Sequence, residues 1–123
     1  MTKTSIKSNI NLKQYQALCK NTAKSYQNKN DELANWGLGV AGEAGDLAGC
    51  IKKTIYHDND QTAGIRENIG DTIWYLAMIC NCLDWDIEEV LGENITKLKN
   101  RYPKGFTEKH AARGGTRVDW NEK

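Results

Sequence analysis

Carboxylate side chains recur at helical spacing in the middle of this 123-residue chain. Glu43 and Asp46 are three residues apart, and Glu67 and Asp71 are four apart. Each pair would therefore share one face of a helix, where like charges repel each other. Such pairs need a nearby countercharge, and acids from two helices are suited to hold a divalent cation.

The charge balance of this region favours a bound cation over a network of salt bridges. Residues 31–96 contain thirteen acidic side chains and three basic ones. The basic ones are Lys52, Lys53 and Arg66. Carboxylates that are buried without countercharge destabilise a fold severely. Oxygen ligands without clustered His or Cys favour a hard ion, so we predict Mg²⁺, with Mn²⁺ as the alternative.

The rest of the sequence predicts helices that would carry these acids. Pro103 is the only proline, and three valines and one phenylalanine are too few for a sheet. Apolar spacing predicts four helices, at 12–27, from after Asp31 to 55, at 63–83, and from 86 to before Tyr102 and Pro103. Asp31 is the predicted cap of the second helix, and Asp86 with Glu89 forms a predicted capping box on the fourth. We therefore predict an all-α fold, a bundle of four to five helices.

Helical wheels direct several polar side chains toward the interior of this bundle. One arc of the third helix is apolar and consists of Ile65, Ile69, Ile73, Leu76, Ile79, Cys80 and Leu83. The opposite side carries Glu67, Asp71 and Tyr75, with Asn68 on their flank, but also Trp74, Met78 and Cys82. A helix that is apolar nearly all round is buried, so we expect Asp71 and its neighbours to face protein. On the fourth helix, Asn94 falls inside the apolar stripe and Lys97 lies at its margin.

Glycine and cysteine patterns need a separate explanation. Five glycines fall in the second predicted helix: Gly37, Gly39, Gly42, Gly45 and Gly49. Each lowers helix stability by roughly 1 kcal/mol relative to alanine, so we expect close approach of another helix or a ligand. The segment 37–42 also fits the dinucleotide fingerprint GxGxxG, but no strand precedes it and no βαβ unit follows. Cys80 and Cys82 lack zinc-site spacing and are predicted core or interface thiols.

Net charge and composition narrow the partners and the compartment. The chain has a net charge of +1, divided as +6 in residues 1–30, −10 in 31–96 and +5 in 97–123. An acidic centre between basic ends suits a cation and a polyanion, although ordinary solvated helix faces give the same pattern. No apolar run is long enough for a bilayer, and four cysteines without a secretory signal indicate reduced thiols. We predict a cytoplasmic protein without a membrane or specific nucleic-acid partner.

Several segments, in order, resemble a known family. They are 38–47 (LGVAGEAGDL), 51–53 (IKK), 67–77 (ENIGDTIWYLA), 94–98 (NITKL) and 101–106 (RYPKGF). This series resembles the MazG-like branch of the all-α nucleoside triphosphate pyrophosphohydrolases over roughly residues 33–106. The resemblance implies a subunit that associates through its helices into a homodimer or homotetramer. It also implies cleavage of a nucleoside triphosphate, often a non-standard or deoxy form, between the α and β phosphates, giving the monophosphate and pyrophosphate.

The family's metal-binding pattern, ExxE on one helix and ExxD on the next, implies a ligand set with one departure. Glu43 and Asp46 match the first pair, and Asp71 matches the last acid. Asn68 stands where the family has Glu, and its neutral carbonyl oxygen carries no charge to hold a second ion. Glu67, one turn before Asp71, is the alternative ligand. Glu43 is also the predicted general base toward the attacking water.

The same resemblance implies the residues that bind the nucleotide. Lys97, and alternatively Lys53, would contact the β and γ phosphates, and Asn94 would hydrogen-bond a phosphate or the sugar. Tyr75 and Trp36 would position the sugar and base by stacking. Plain core packing is the alternative for both aromatic residues.

These observations divide the chain into three segments of a single domain. They are an N-terminal helix with a basic lead-in (1–30), a catalytic helical core (31–106) and a C-terminal tail without periodicity (107–123). The first functional prediction is a Mg²⁺-dependent nucleotide pyrophosphohydrolase. The alternative, which rests on Asn68, is a catalytically weakened homologue that acts as a nucleotide-binding or partner-binding module. The acidic centre disfavours a nucleic-acid accessory protein.

Overall fold

The chain folds into helices joined by short connections. The structure is a computed structural model that describes residues 9–108. Its elements are α1 (Leu12–Cys19), a 3₁₀ turn (Lys20–Thr22), α2 (Lys29–Tyr56), α3 (Thr62–Cys82) and α4 (Ile87–Arg101). No strand is found in the part of the chain that is described, and the prediction of an all-α fold is confirmed. No helix within 9–108 combines the length and hydropathy that a bilayer crossing requires.

Asparagine side chains determine where the first two α-helices begin. Asn11 caps α1 in a capping box, because its side chain accepts from the Gln14 N–H while the Gln14 side chain accepts from the Asn11 N–H. Asn28 caps α2 by accepting from the N–H groups of Asn30 and Asp31. The prediction of Asp31 as the cap was therefore wrong, since a better-placed acceptor lies three residues earlier.

The first helix is shorter than the predicted 12–27. Its α-helical hydrogen bonding ends at Cys19, and the 3₁₀ turn follows. Within that turn the Thr22 hydroxyl donates to the Cys19 carbonyl and accepts from Trp74 Nε1 at 3.0 Å. A threonine that is held by its own backbone and by α3 does not continue a helix, because side-chain bonds to the backbone compete with helical ones.

The core lies on the side of α3 that carries Trp74 and Met78. Its fully buried members are Cys19, Trp36, Ala77, Met78, Cys80, Cys82 and Ile87. Ile69, Ile73 and Leu76, which the helical wheel assigned to the buried arc, are instead exposed in this chain. The structure has no buried polar or charged residue in the described range, so the expectation that Asp71 faces the interior was wrong. An apolar pattern that surrounds a helix does not decide which side packs inward.

Two close contacts fix how α2 and α3 pack against each other. A Cβ on Gly39 would overlap the ring of Tyr75, and a Cβ on Gly64 would lie 3.0 Å from Cys50 Sγ. Gly39, early in α2, meets Tyr75, late in α3, and Cys50, late in α2, meets Gly64, early in α3. The two helices therefore run antiparallel. Of the five glycines noted in α2, Gly39 alone has this close neighbour, since a Cβ at the other four would meet nothing within 4 Å.

The chain divides into two units, the first ending at Glu88 and the second beginning at Glu89. The first contains α1, the 3₁₀ turn, α2, α3 and the opening residues of α4, where Asp86 Oδ1 accepts from the Glu88 N–H at 2.9 Å. The second contains the rest of α4, which ends at Arg101 as predicted, and residues 102–108. Most of the predicted tail (107–123) and the start of the basic lead-in lie outside the described residues.

Candidate functional site

The packing of α2 and α3 places four acids on facing turns of the two helices. From the contact between Gly39 and Tyr75, Glu43 is four residues forward along α2 and Asp71 is four residues back along α3. Because the helices are antiparallel and four residues make about one turn, Glu43 and Asp71 lie opposite each other. Asp46 and Glu67 each follow one turn further in the same direction.

Electrostatic interactions agree with this placement. Glu43 is half-buried, and its pKa is raised first by desolvation and then by the negative charges of Asp71, Asp46 and Glu67. No cation is among the groups that shift it. Three acids therefore repel the Glu43 carboxylate, which is the condition in which a bound cation stabilises a protein.

The donor chemistry of this cluster fits a hard divalent ion. All four side chains offer carboxylate oxygens, and Asp46, Glu67 and Asp71 are exposed to solvent. In the part of the chain that is described, no three His, Cys, Asp or Glu side chains already converge as a ready-made metal site. Mg²⁺ usually keeps several waters and binds through one or two carboxylates plus substrate phosphates, so an open acidic cluster suits it. The ligand set remains a prediction.

Asn68 has a partner that the sequence did not reveal. Its Nδ2 donates to Cys50 Sγ on α2 at 3.4 Å, and both residues are half-buried. The bond commits the amide nitrogen to the contact between the helices and leaves the carbonyl oxygen as the atom available to a cation. Cys50 lies seven residues after Glu43, so it shares that face of α2, and this spacing was the signal in the sequence.

Trp36 is a core residue and Tyr75 lies at the edge of the same aromatic cluster. Trp36 is 3% exposed, its Nε1 donates to Glu32 Oε2 at 2.9 Å, and its ring meets Tyr26 and Trp74 edge-on at 5.5 and 5.3 Å. Core packing, the alternative considered for Trp36, is therefore what the structure shows. Tyr75 is half-buried beside Gly39, one helical turn from Asp71, and its contact with a nucleotide stays a prediction.

The predicted phosphate-binding residues lie in different parts of the chain. Lys53 lines an open cleft near the end of α2. Asn94 and Lys97 lie on the part of α4 that belongs to the second unit, where Asn94 is exposed and Lys97 is half-buried. Their roles remain predictions.

Comparison with known proteins identifies the family. The family model described as the MazG nucleotide pyrophosphohydrolase domain matches residues 32–106. The chain belongs to this family. The matched segment contains every site residue named above, and a MazG domain indicates nucleotide pyrophosphohydrolase activity in general.

A phage protein provides a second similarity. The "Gene 37 protein" of Mycobacterium phage L5 is 34% identical over 74 residues, which are 55% of this chain and 64% of that protein. The chain therefore covers just under two thirds of this relative's length. No solved structure matches the chain.

Proposed function

We propose that the protein is a Mg²⁺-dependent pyrophosphohydrolase that cleaves a nucleoside or deoxynucleoside triphosphate between the α and β phosphates. The observation that carries this proposal is that acids on facing turns of α2 and α3 raise the pKa of Glu43 inside the segment that matches the MazG domain. The triphosphate and the four carboxylates are all anionic, so a divalent cation between them would reduce the electrostatic repulsion. Mn²⁺ has the same preference for oxygen ligands and is the alternative ion.

The chemistry divides among the residues as follows. Glu43, Asp46, Asp71 and either Glu67 or the carbonyl of Asn68 would hold the metal. Bound Mg²⁺ supplies charge neutralisation of the phosphates and acidifies a water. Glu43 accepts the proton of the attacking water, because desolvation and the neighbouring acids raise its pKa and make its carboxylate a better proton acceptor. The water attacks the α phosphorus, the bond to the bridging oxygen breaks, and pyrophosphate leaves.

Other residues bind the nucleotide in this proposal. Lys97 and Lys53 contact the β and γ phosphates, and Asn94 hydrogen-bonds a phosphate or the sugar. Tyr75 offers an aromatic edge to the sugar or base beside the acids, and Trp36 supports Tyr75 from the core at a centroid distance of 6.0 Å.

We also propose that the active form is a homodimer or homotetramer in the cytoplasm. Large apolar side chains that the isolated chain leaves exposed occur along α2, including Leu38 (73%), Ile55 (64%) and Tyr56 (77%). Exposed apolar surface on this scale is typical of a protein–protein interface.

The decisive experiment measures products from a panel of ribo-, deoxy- and modified triphosphates with Mg²⁺. We expect pyrophosphate and a monophosphate, with no orthophosphate, and loss of both products in Glu43→Gln. The matched control, Glu89→Gln, removes one exposed helical carboxylate elsewhere and should keep full activity. Release of orthophosphate, or equal activity in Glu43→Gln, would contradict the proposed reaction.

A nucleotide-binding module without turnover is the second candidate. The bond between Asn68 and Cys50 favours it, because a neutral side chain tied to α2 replaces an acid of the metal-binding pattern. Tight, Mg²⁺-dependent nucleotide binding without any product would support this candidate. If position 68 contributes to the site, Asn68→Glu should raise metal affinity, whereas no change would assign that role to Glu67 or water.

A further inference from the structure

A cleft near the end of α2 lies outside the acidic cluster. Its volume is 430 Å³, and its lining residues are Gly49, Lys52, Lys53, His57 and Asn59. Two of the five are lysines, one is a histidine, and no acid is among them. The chemistry of the lining therefore selects for an anion with several acceptor oxygens.

The loop after α2 forms one side of this cleft and is held in place by the helix. The Lys53 carbonyl accepts from the His57 N–H at 3.1 Å and from the Asn59 N–H at 3.2 Å. Asp58 between them has a φ of +47°, which reverses the chain so that both N–H groups reach one carbonyl. Asn59 Oδ1 accepts from Gln61 Nε2 at 2.8 Å, so the Asn59 amide nitrogen is the group that remains as a donor.

The helix end by itself explains only part of this arrangement. Cations near the last turn of a helix interact favourably with its dipole, which accounts for lysines at this position. The dipole does not account for a concave surface. Gly49 lines the cleft without a side chain, and a Cβ there would meet nothing within 4 Å, so this position leaves room for a ligand.

The cleft continues the line of the acids along the same face of α2. Asp46, Gly49, Lys53 and His57 follow one another at intervals of three or four residues, so they form one stripe. Lys53 lies about 10 Å beyond Asp46 along the helix axis, and helical side chains lean toward the N-terminus, which brings its ammonium group back toward the acids. Along α2, the acidic cluster would hold the metal at the α phosphate, and the cationic cleft beyond it would face the β and γ phosphates.

We infer that this cleft binds the β and γ phosphates of the substrate and then holds the pyrophosphate product. Lys52 and Lys53 supply charge, His57 and the Asn59 amide supply donors, and the missing side chain at Gly49 supplies room. The inference rests on the proposed function and deepens it, because it assigns Lys52, His57, Asn59 and Gly49 to the pyrophosphate part of the site.

The experiment measures binding of inorganic pyrophosphate to the full chain by calorimetry, with chelator present so that no metal contributes. We expect the double variant Lys52→Gln/Lys53→Gln to lose affinity by about tenfold or more. The matched control, Lys13→Gln/Lys20→Gln, removes the same charge from exposed lysines of α1 and the 3₁₀ turn and should keep the affinity. An equal loss in both double variants, or in neither, would overturn the inference.

A second variant separates the shape of the cleft from its charge. Gly49→Leu fills the cleft, leaves both lysines in place and has open space for its side chain. We expect it to lose pyrophosphate affinity while Mg²⁺ affinity and the thermal transition remain. Unchanged pyrophosphate binding in this variant would show that the anion does not occupy the cleft.

Kinetics distinguish a failure of the inference from a failure of the proposed function. If triphosphate is cleaved, the double variant should raise KM for triphosphate and the inhibition constant of pyrophosphate, with inhibition by the monophosphate unchanged. Cleavage that is insensitive to these substitutions would overturn the inference alone. Absence of cleavage with the predicted pattern of pyrophosphate binding would overturn the reaction and leave the cleft as a phosphate-binding site.

Discussion

Gly39→Ala tests the contact that sets the register of α2 and α3. The new Cβ would overlap three ring carbons of Tyr75, which is itself packed against Trp36 and Trp74 at centroid distances of 6.0 and 5.0 Å. Moving a ring in such a cluster destabilises a protein by about 1–3 kcal/mol. Alanine also improves helix propensity by about 1 kcal/mol. We expect Gly39→Ala to be neutral to about 2 kcal/mol destabilising.

Gly37→Ala is the matched control, because it lies two residues away on the same helix with nothing within 4 Å of its Cβ. Gly37→Ala should improve helix propensity without any steric overlap and so stabilise the fold by about 0.5–1 kcal/mol. Urea unfolding at one fixed protein concentration measures both free energies. The expected difference between the two variants is about 1–3 kcal/mol.

A double-mutant cycle isolates the ring as the cause. In a Tyr75→Ala background the Cβ at position 39 has no ring to displace, so Gly39→Ala should now stabilise as much as Gly37→Ala does. Equal effects of the two alanines in the wild-type background would refute the close approach. The placement of Glu43 opposite Asp71 would then lose its main geometric support.

Two predictions concern ionisation. A carboxyl whose pKa is raised by folding adds stability at low pH, and that stability is lost as pH rises from 4.5 through the pKa of the folded state. Glu43→Gln should therefore raise the melting temperature at pH 7 in chelator and change it little at pH 4. The same substitution should reduce the stabilisation by Mg²⁺. A melting temperature at pH 7 below that of wild type would contradict the repulsion. Burial, followed by the nearby Cys19 thiol, raises the pKa of Tyr15 from 10.0 to about 12, so its stabilisation is present below pH 10 and lost toward pH 12. Ultraviolet titration of Tyr15→Phe should lack a phenol that ionises near pH 12, and an unchanged titration curve would contradict this assignment.

The sequence predicted the helices better than the faces they present. Apolar spacing and a proline determine α4 and its end, and the all-α class follows from the lack of strand patterns. The inward face of α3 was not predictable, because an equally apolar arc of isoleucines lies opposite the side that carries Trp74 and Met78. Packing of α1 and α2 against the side with Trp74 and Met78 determines which face of α3 is buried. A helical wheel does not contain tertiary contacts of this kind.

The acids of the site were predictable as pairs but not as a cluster. Spacing of three and four residues identifies Glu43 with Asp46 and Glu67 with Asp71, each within one helix. Their meeting across two helices depends on Gly39 beneath the Tyr75 ring and Gly64 beside Cys50, which are contacts of the folded chain. The cationic cleft also needed the fold, since Asn59 joins it through a turn of the loop after α2.

Gln16 has a consequence for the order in which the chain folds. Its amide nitrogen donates to Asn81 Oδ1 and the Trp85 carbonyl, and its oxygen accepts from the Ile87 N–H. These bonds join groups 65 to 71 positions apart, whereas α2 and α3 are adjacent in sequence. Closing so long a loop is entropically slow, so we expect the α2–α3 hairpin to form first and α1 to dock last. On the ribosome, α1 therefore waits for its hydrogen-bond partners until translation has passed residue 87.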